Sequence, residues 1–382
     1  MRLLLSLLIC LGGLGCRPST APPAATPAER AASTPVPTPA PTPEPTPPRP
    51  DAVVDLHVDT ITMMMREQVD WRSPTLEASL PALQAAGINV VVQAAWIERG
   101  VEDPYGRALG KLKRIRAMVQ REAQHAAIAR GPDQLEQILR EGRVAVVLGL
   151  EGGTALTDDA SLDALRAIGL SVVGLTWSES SPHADSSAEP RSPGGLTESG
   201  RRLVAACNDR GLVLDVSHMS DRATAETVAL SRAPVMASHS NRRALADVPR
   251  NLSDDLLRAI AARGGLIGAM FHGPFVTTEA GADRGSVVRQ IQGLLDVVGP
   301  RHVGIGSDWD GIIKPPTGLE TAADWPGLVE SLSAAGIDAE ARRGILGENF
   351  VRVWRDAWAQ RAPAATASSP AEPGEDGPSS AP

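Results

Sequence analysis

The sequence predicts a (β/α)8 barrel, an α/β fold in a single catalytic domain. Two observations point to it. Between residues 51 and 361, eight short β-branched runs alternate with longer amphipathic stretches, the pattern of repeated βαβ units around a parallel sheet. Polar residues of metal-ligand type gather at the C-terminal ends of those runs, where such barrels build their sites.

The runs are "AVVDLHV" (52–58), "INVVVQA" (88–94), "VAVVLGLE" (144–151), "SVVGLTW" (171–177), "LVLDVSH" (212–218), "PVMASH" (234–239), "GLIGAMF" (265–271) and "HVGIGSD" (302–308). Helical patterns lie between most of them, as in "TLEASLPALQAAG", "LTESGRRLVAACNDRG", "SDRATAETVALSR" and "SVVRQIQGLLDVVG". An open doubly wound sheet is the alternative. No G-x-G-x-x-G follows the first run, so nothing favours a dinucleotide.

The flanks differ in composition. Residues 1–16, "MRLLLSLLICLGGLGC", carry one Arg, a short apolar run and small residues before a Cys. The run is too short to span a bilayer and reads as an export signal. Its end suggests a bacterial lipoprotein signal with Cys16 lipidated, although Gly13 stands where such signals usually carry Leu. Residues 17–50 are rich in Pro, Thr and Ala and read as a polyproline II linker, able to reach roughly 100 Å at about 3.1 Å per residue. Residues 362–382 are expected to be a disordered tail. The protein is therefore expected in the bacterial cell envelope, lipid-anchored in the periplasm or outer membrane.

Charge and cysteine content exclude other classes. Lys and Arg number 37 against 45 Asp and Glu, for a net charge of −8. With no dense basic block, a nucleic-acid partner is not expected. Three cysteines, one inside the leader, make no disulfide framework. Cys207 reads as a small buried hydrophobe.

The candidate ligands are His57 and Asp59, Glu151, His218 and His239, with Asp308 at the end of the last run. His57 and Asp59 are two apart on a strand and share a face. Glu151 has two oxygens and could bridge two ions, and His218 with His239 could complete a second site. This donor set suits zinc, and would also hold manganese or iron. Singly, each has a simpler reading: a hydrogen-bonded turn, a helix cap, a core histidine. Those readings need five coincidences at one barrel face; a metal centre needs none.

The segments "DLHVDT", "LGLEGG", "LDVSHMS", "ASHSN" with "PRNLSDD", and "VGIGSDWDG" resemble, in order, the membrane (renal-type) dipeptidase family of zinc peptidases. The resemblance implies a binuclear Zn2+ centre with a bridging hydroxide that hydrolyses dipeptides. His57 and Asp59 would hold one zinc, Glu151 would bridge, and His218 and His239 would hold the second. Arg250, followed by Asn251, would bind the substrate carboxylate, and Asp308 would transfer protons. Trp177 stands where many members have a substrate-binding His, and His183, six residues on, is a candidate substitute. Met270, Phe271 and His272 replace a frequent Asn-Phe-Tyr. A homodimer is also admitted. The rival functions are another amidohydrolase-type activity (lactonase or deaminase) on the same face, and a non-catalytic surface-displayed binding module.

Overall fold

The computed structural model describes residues 51–191 and 194–362. The expected signal, linker and tail, with Cys16, lie outside these residues apart from Ala362. Among the described residues nine parallel strands form: β1 (Val54–Val58), β2 (Val90–Trp96), β3 (Ala126–Ala129), β4 (Val144–Glu151), β5 (Leu170–Gly174), β6 (Val213–Asp215), β7 (Met236–Ala237), β8 (Leu266–Ala269) and β9 (Val303–Ile305). Eight of them run in the order β1-β2-β4-β5-β6-β7-β8-β9. The ring is completed at its C-terminal end. There Val58 pairs with Trp309, Asp308 N–H donates to the His57 carbonyl (3.0 Å) and Asp59 N–H donates to the Trp309 carbonyl (2.9 Å). The chain is a (β/α)8 barrel.

β3 is a strand the sequence pattern does not announce. Its alanines have little strand propensity. It forms because the N-terminal half of β4 (Val144–Val147) has a free edge there, while β5 pairs only with Leu148–Glu151. The helix expected across 75–87 begins at Leu80. Ser79 caps it by accepting the Ala82 N–H, and Pro81 fits the first turn.

Alternation sorts the side chains into two layers. Val54, Leu56, Val90, Val92, Ala145 and Val147 pack in an inner cluster with Phe350 and Trp354 of the last helix, Asn349–Ala359. Val91, Ala95, Val146 and Leu148 join a larger cluster under the surrounding helices. β1 departs from strict alternation. Its pairing to β2 shifts register between Asp55 and Val58, and Val58 packs in the outer cluster although Leu56 packs in the inner one. A register shift re-aims a strand end, which turns His57 and Asp59 toward the barrel mouth.

Close backbone approach supports this arrangement. A Cβ on Gly268 would land on the Ser238 carbonyl and 2.9 Å from Leu56 Cδ1. Gly110, in the helix Pro104–Arg121, has open space instead. Gly268→Ala is therefore expected to destabilise by about 1–3 kcal/mol through overpacking. Gly110→Ala should be neutral or stabilise by about 0.5–1 kcal/mol. Urea midpoints of the two variants, measured side by side, check the contrast.

Candidate metal centre

The site stands at the C-terminal ends of β1, β4, β6, β7 and β9. Glu151 is the last residue of β4. His218, His239 and Asp308 lie two or three residues beyond the short strands β6, β7 and β9, not inside them as the apolar runs suggest. His218 (φ 68°) and Asp308 (φ 67°) are left-handed. That conformation costs about 1–2 kcal/mol for such residues and is typical of residues re-aimed at a site. Hydrogen bonds hold both: Ser187 N–H donates to the His218 carbonyl at 2.7 Å, and Asp308 N–H to His57.

Five expected ligands converge. His57 Nε2 lies 3.7 Å from Asp59 Oδ2, 3.7 Å from Glu151 Oε2 and 3.8 Å from Asp308 Oδ1. The other Glu151 oxygen, Oε1, is 2.9 Å from His218 Nε2 and 3.5 Å from His239 Nε2. The two histidine nitrogens are 3.0 Å apart. Among the described residues three donor groups result, His57/Asp59/Asp308, Glu151/His218/His239 and His57/Asp215/His239, and one Glu151 oxygen is turned to each of the first two.

The donors fit cations. His57 Nε2 and Asp59 Oδ1 are buried with no hydrogen-bond partner, and polar atoms so placed are costly. Burial, followed by repulsion from Asp59 and Asp308, raises the Glu151 carboxyl well above its usual range, although His57 opposes this. Burial pushes Asp308 to about 7. Burial alone would depress His57, but Glu151, Asp59 and Asp308 outweigh it and raise the imidazole to about 10. The clustered carboxylates thus hold protons unusually tightly, the mark of a site that divalent cations would balance. Burial, with Arg250 nearby, holds His218 and His239 well below the usual imidazole value, and the neutral imidazole is the form that binds metal.

Residues that the sequence reading passed over orient these ligands. Ser238 Oγ–H donates to Asp215 Oδ2 (2.5 Å), so its lone pair accepts His239 Nδ1–H (2.7 Å). That fixes the tautomer and leaves His239 Nε2 as the bare donor. Asp215 also accepts the Ser217 and Ser238 N–H groups. Asp55 does the same work beside β1, accepting the His57 N–H, the Ser307 N–H and the Ser307 hydroxyl. The available signal was a carboxylate inside each apolar run, "DLH" and "LDVSH", which is costly to bury without partners.

A cavity of about 720 Å³ opens over the centre, lined by Asp59, Glu151, His218, Asp308, Arg250 and Trp177 among others. His57 and His239 are buried behind these groups. Arg250 Nη1 donates to Ser240 Oγ (2.8 Å) and Nη2 to the His239 carbonyl (2.9 Å), while its Nε has no partner. Trp177 stands 4.7 Å from Trp96 and 6.4 Å from His218, centroid to centroid. Two expected substrate contacts are placed elsewhere. His183 is buried outside the cavity lining, with Nε2 2.6 Å from the Leu156 carbonyl and Nδ1 3.1 Å from Ser199 Oγ; it braces the loop it belongs to. Asn251 also lies outside the lining, donating to the Ala246 and Phe275 carbonyls.

Histidines and carboxylates at the strand ends of a closed parallel barrel are the arrangement of a metal-dependent (β/α)8 hydrolase. Residues 50–368 match the family model described as membrane dipeptidase, peptidase family M19, and the chain belongs to that family. It is 36% identical over 221 residues to dipeptidase aclJ of Aspergillus oryzae, a match covering 56% of this chain and 52% of that one. The chain thus spans about half the length of that relative. A Klebsiella pneumoniae protein described as uncharacterised, in the pqqA 5′ region, is 30% identical over 68% of this chain and 98% of its own. Among solved structures, a metallopeptidase of Rhodobacter sphaeroides liganded with a phosphinate mimic of the dipeptide L-Ala-D-Ala superposes with a TM-score of 0.75. It is 25% identical and covers 81% of this chain and 100% of its own. A family M19 metallopeptidase, dipeptidase AC, also gives 0.75 at 26% identity, over 80% and 98% of the two chains.

The orienting network makes a prediction. Asp215→Asn removes the acceptor that sets the Ser238 and His239 protons. It should weaken zinc binding about 10- to 100-fold, read by competition with a chromogenic chelator, with the fold retained by circular dichroism.

Proposed function

We propose that this protein hydrolyses the peptide bond of dipeptides at a binuclear zinc centre. The observation that carries this reading is the division of Glu151, one oxygen toward His57 and the other toward His218 and His239. His57 and Asp59 would hold the first ion, His218 and His239 the second, and Glu151 both. Two zinc ions held there would supply Lewis acidity and an activated water at neutral pH.

The chain's own groups account for the rest. Arg250 has a free Nε beside partly used Nη groups, a fork suited to a carboxylate. Anchoring the substrate's C-terminal carboxylate there limits the peptide to two residues when the scissile bond lies over the centre. Asp308 faces the same point and is the proton carrier: it accepts the proton of the attacking water and delivers it to the leaving amine nitrogen. Trp177 and Trp96 wall the cavity and exclude water from one side. The relative that holds a phosphinate dipeptide mimic supports the substrate class.

Protein loaded with two equivalents of zinc should cleave Ala-Ala, and chelation should abolish the activity. Full-rate cleavage by chelated protein would falsify the reading. Arg250→Ala should lower kcat/KM for Ala-Ala by about 10- to 100-fold, the scale of a lost charge-assisted hydrogen bond. The effect should shrink for the dipeptide amide, which lacks the carboxylate; an equal loss on both substrates points to a lactonase- or deaminase-type activity instead.

The leader "MRLLLSLLICLGGLGC" supports export and lipid anchoring at Cys16. Among the described residues no helix is long and apolar enough to cross a membrane. Cys16→Ala is expected to move the protein from the membrane fraction of a producing bacterium to its soluble fraction. An unchanged distribution would argue against the lipid anchor.

A further inference from the structure

The helix Pro104–Arg121 carries Arg107, Lys111, Lys113, Arg114, Arg116 and Arg121 and no acidic residue, in a chain of net charge −8. Arg107, Lys111 and Arg114 recur at helical spacing on one face. They line a groove of about 390 Å³, together with Met65, Gly106 and Gly110. Gly110 leaves its floor open. Met65, Arg107 and Lys111 also line the catalytic cavity, so the groove continues it, and Arg66 stands in the same cavity wall. Burial holds the Lys111 ammonium below its usual value, with Glu98 and Asp59 opposing the shift.

These cations are organised and undercompensated. Glu98 takes Arg107 through two hydrogen bonds (3.0 and 2.9 Å) and Lys111 at 3.0 Å. Lys111 also donates to the Trp96 carbonyl and Thr62 Oγ1. Asp103 is occupied as the helix cap, accepting the Gly106 N–H. Arg66 and Arg114 have no ion-pair partner among the described residues. Arg66, Arg107, Lys111 and Arg114 therefore stand beside three carboxylates on this side, Asp59, Glu98 and Asp103, of which Asp103 is committed to the helix cap.

Its position assigns the ligand's orientation. The helix follows β2, whereas Arg250 follows β7. In the eight-strand ring β2 and β7 are four strands apart by either route, so the groove faces Arg250 across the centre. A dipeptide held by its C-terminal carboxylate at Arg250 directs its first residue toward the groove. We infer that the groove takes an anionic side chain on that first residue, so that the preferred substrates are dipeptides beginning with Asp or Glu. This rests on the dipeptidase reading above. Arg66 in the cavity wall meets the side-chain carboxylate, and Arg107, held by Glu98 where the two cavities join, deepens the positive field together with Arg114.

The test compares isosteric substrates on the zinc-loaded full chain. Glu-Ala should exceed Gln-Ala in kcat/KM by about tenfold at low salt, the scale of a charge-assisted contact, and the ratio should fall in 0.5 M NaCl as the field is screened. In the double variant Arg66→Gln/Arg114→Gln the ratio should drop at least threefold. A wild-type ratio within twofold of unity, or a ratio unmoved by the double variant, overturns the acidic-substrate assignment while leaving the dipeptidase reading intact. Failure to cleave Glu-Ala, Gln-Ala and Ala-Ala alike overturns both.

Discussion

Everything at the barrel mouth depends on one electrostatic constraint. Asp59, Glu151 and Asp308 are gathered with three imidazoles at the floor of the cavity, most of them buried. Like charges in such a place repel strongly, and desolvation adds to the cost. Protonation relieves it in part, which is why Glu151 and Asp308 titrate high and His57 holds its proton. Divalent cations relieve it fully. A fold that keeps these groups together must therefore be rigid, and a ring of parallel strands supplies that rigidity from every side at once.

The rigidity is built from small local devices. The register shift in β1 turns His57 and Asp59 to the mouth. Two left-handed residues, His218 and Asp308, aim their side chains inward after strands only three residues long. Asp55 and Asp215 tie neighbouring loops to backbone N–H and serine groups, so the ligand-bearing segments cannot drift apart. These carboxylates are buried but satisfied, unlike those at the centre. That contrast separates supporting groups from metal donors more clearly than residue type does.

The cavity above the centre is polarised. Arg250 stands after β7, and the basic helix stands across the ring after β2, with the metal donors between. Trp96 and Trp177 wall one side, Trp177 standing where the resemblance puts a substrate-binding histidine in many family members. His183, the candidate replacement, is committed to Leu156 and Ser199 instead. The cavity thus presents charge at its two ends and aromatic surface between them.

The sequence by itself determined the barrel, because β-branched runs and amphipathic stretches alternate with the right periods. It also marked His57, Asp59, Glu151, His218 and His239 as candidate donors and Asp308 as a candidate proton carrier, because chemically distinctive residues punctuate apolar runs at a repeated position. Only the tertiary structure decided which Glu151 oxygen faces which group. It alone revealed β3, which exists by virtue of a free edge on β4. It removed His183 and Asn251 from the cavity and brought Asp215 through Ser238 to His239. The physical reason is range. Periodicity and residue type act along the chain and are legible there, whereas partner choice depends on atoms hundreds of residues apart, such as Ser307 and Asp55, that meet only once the ring has closed.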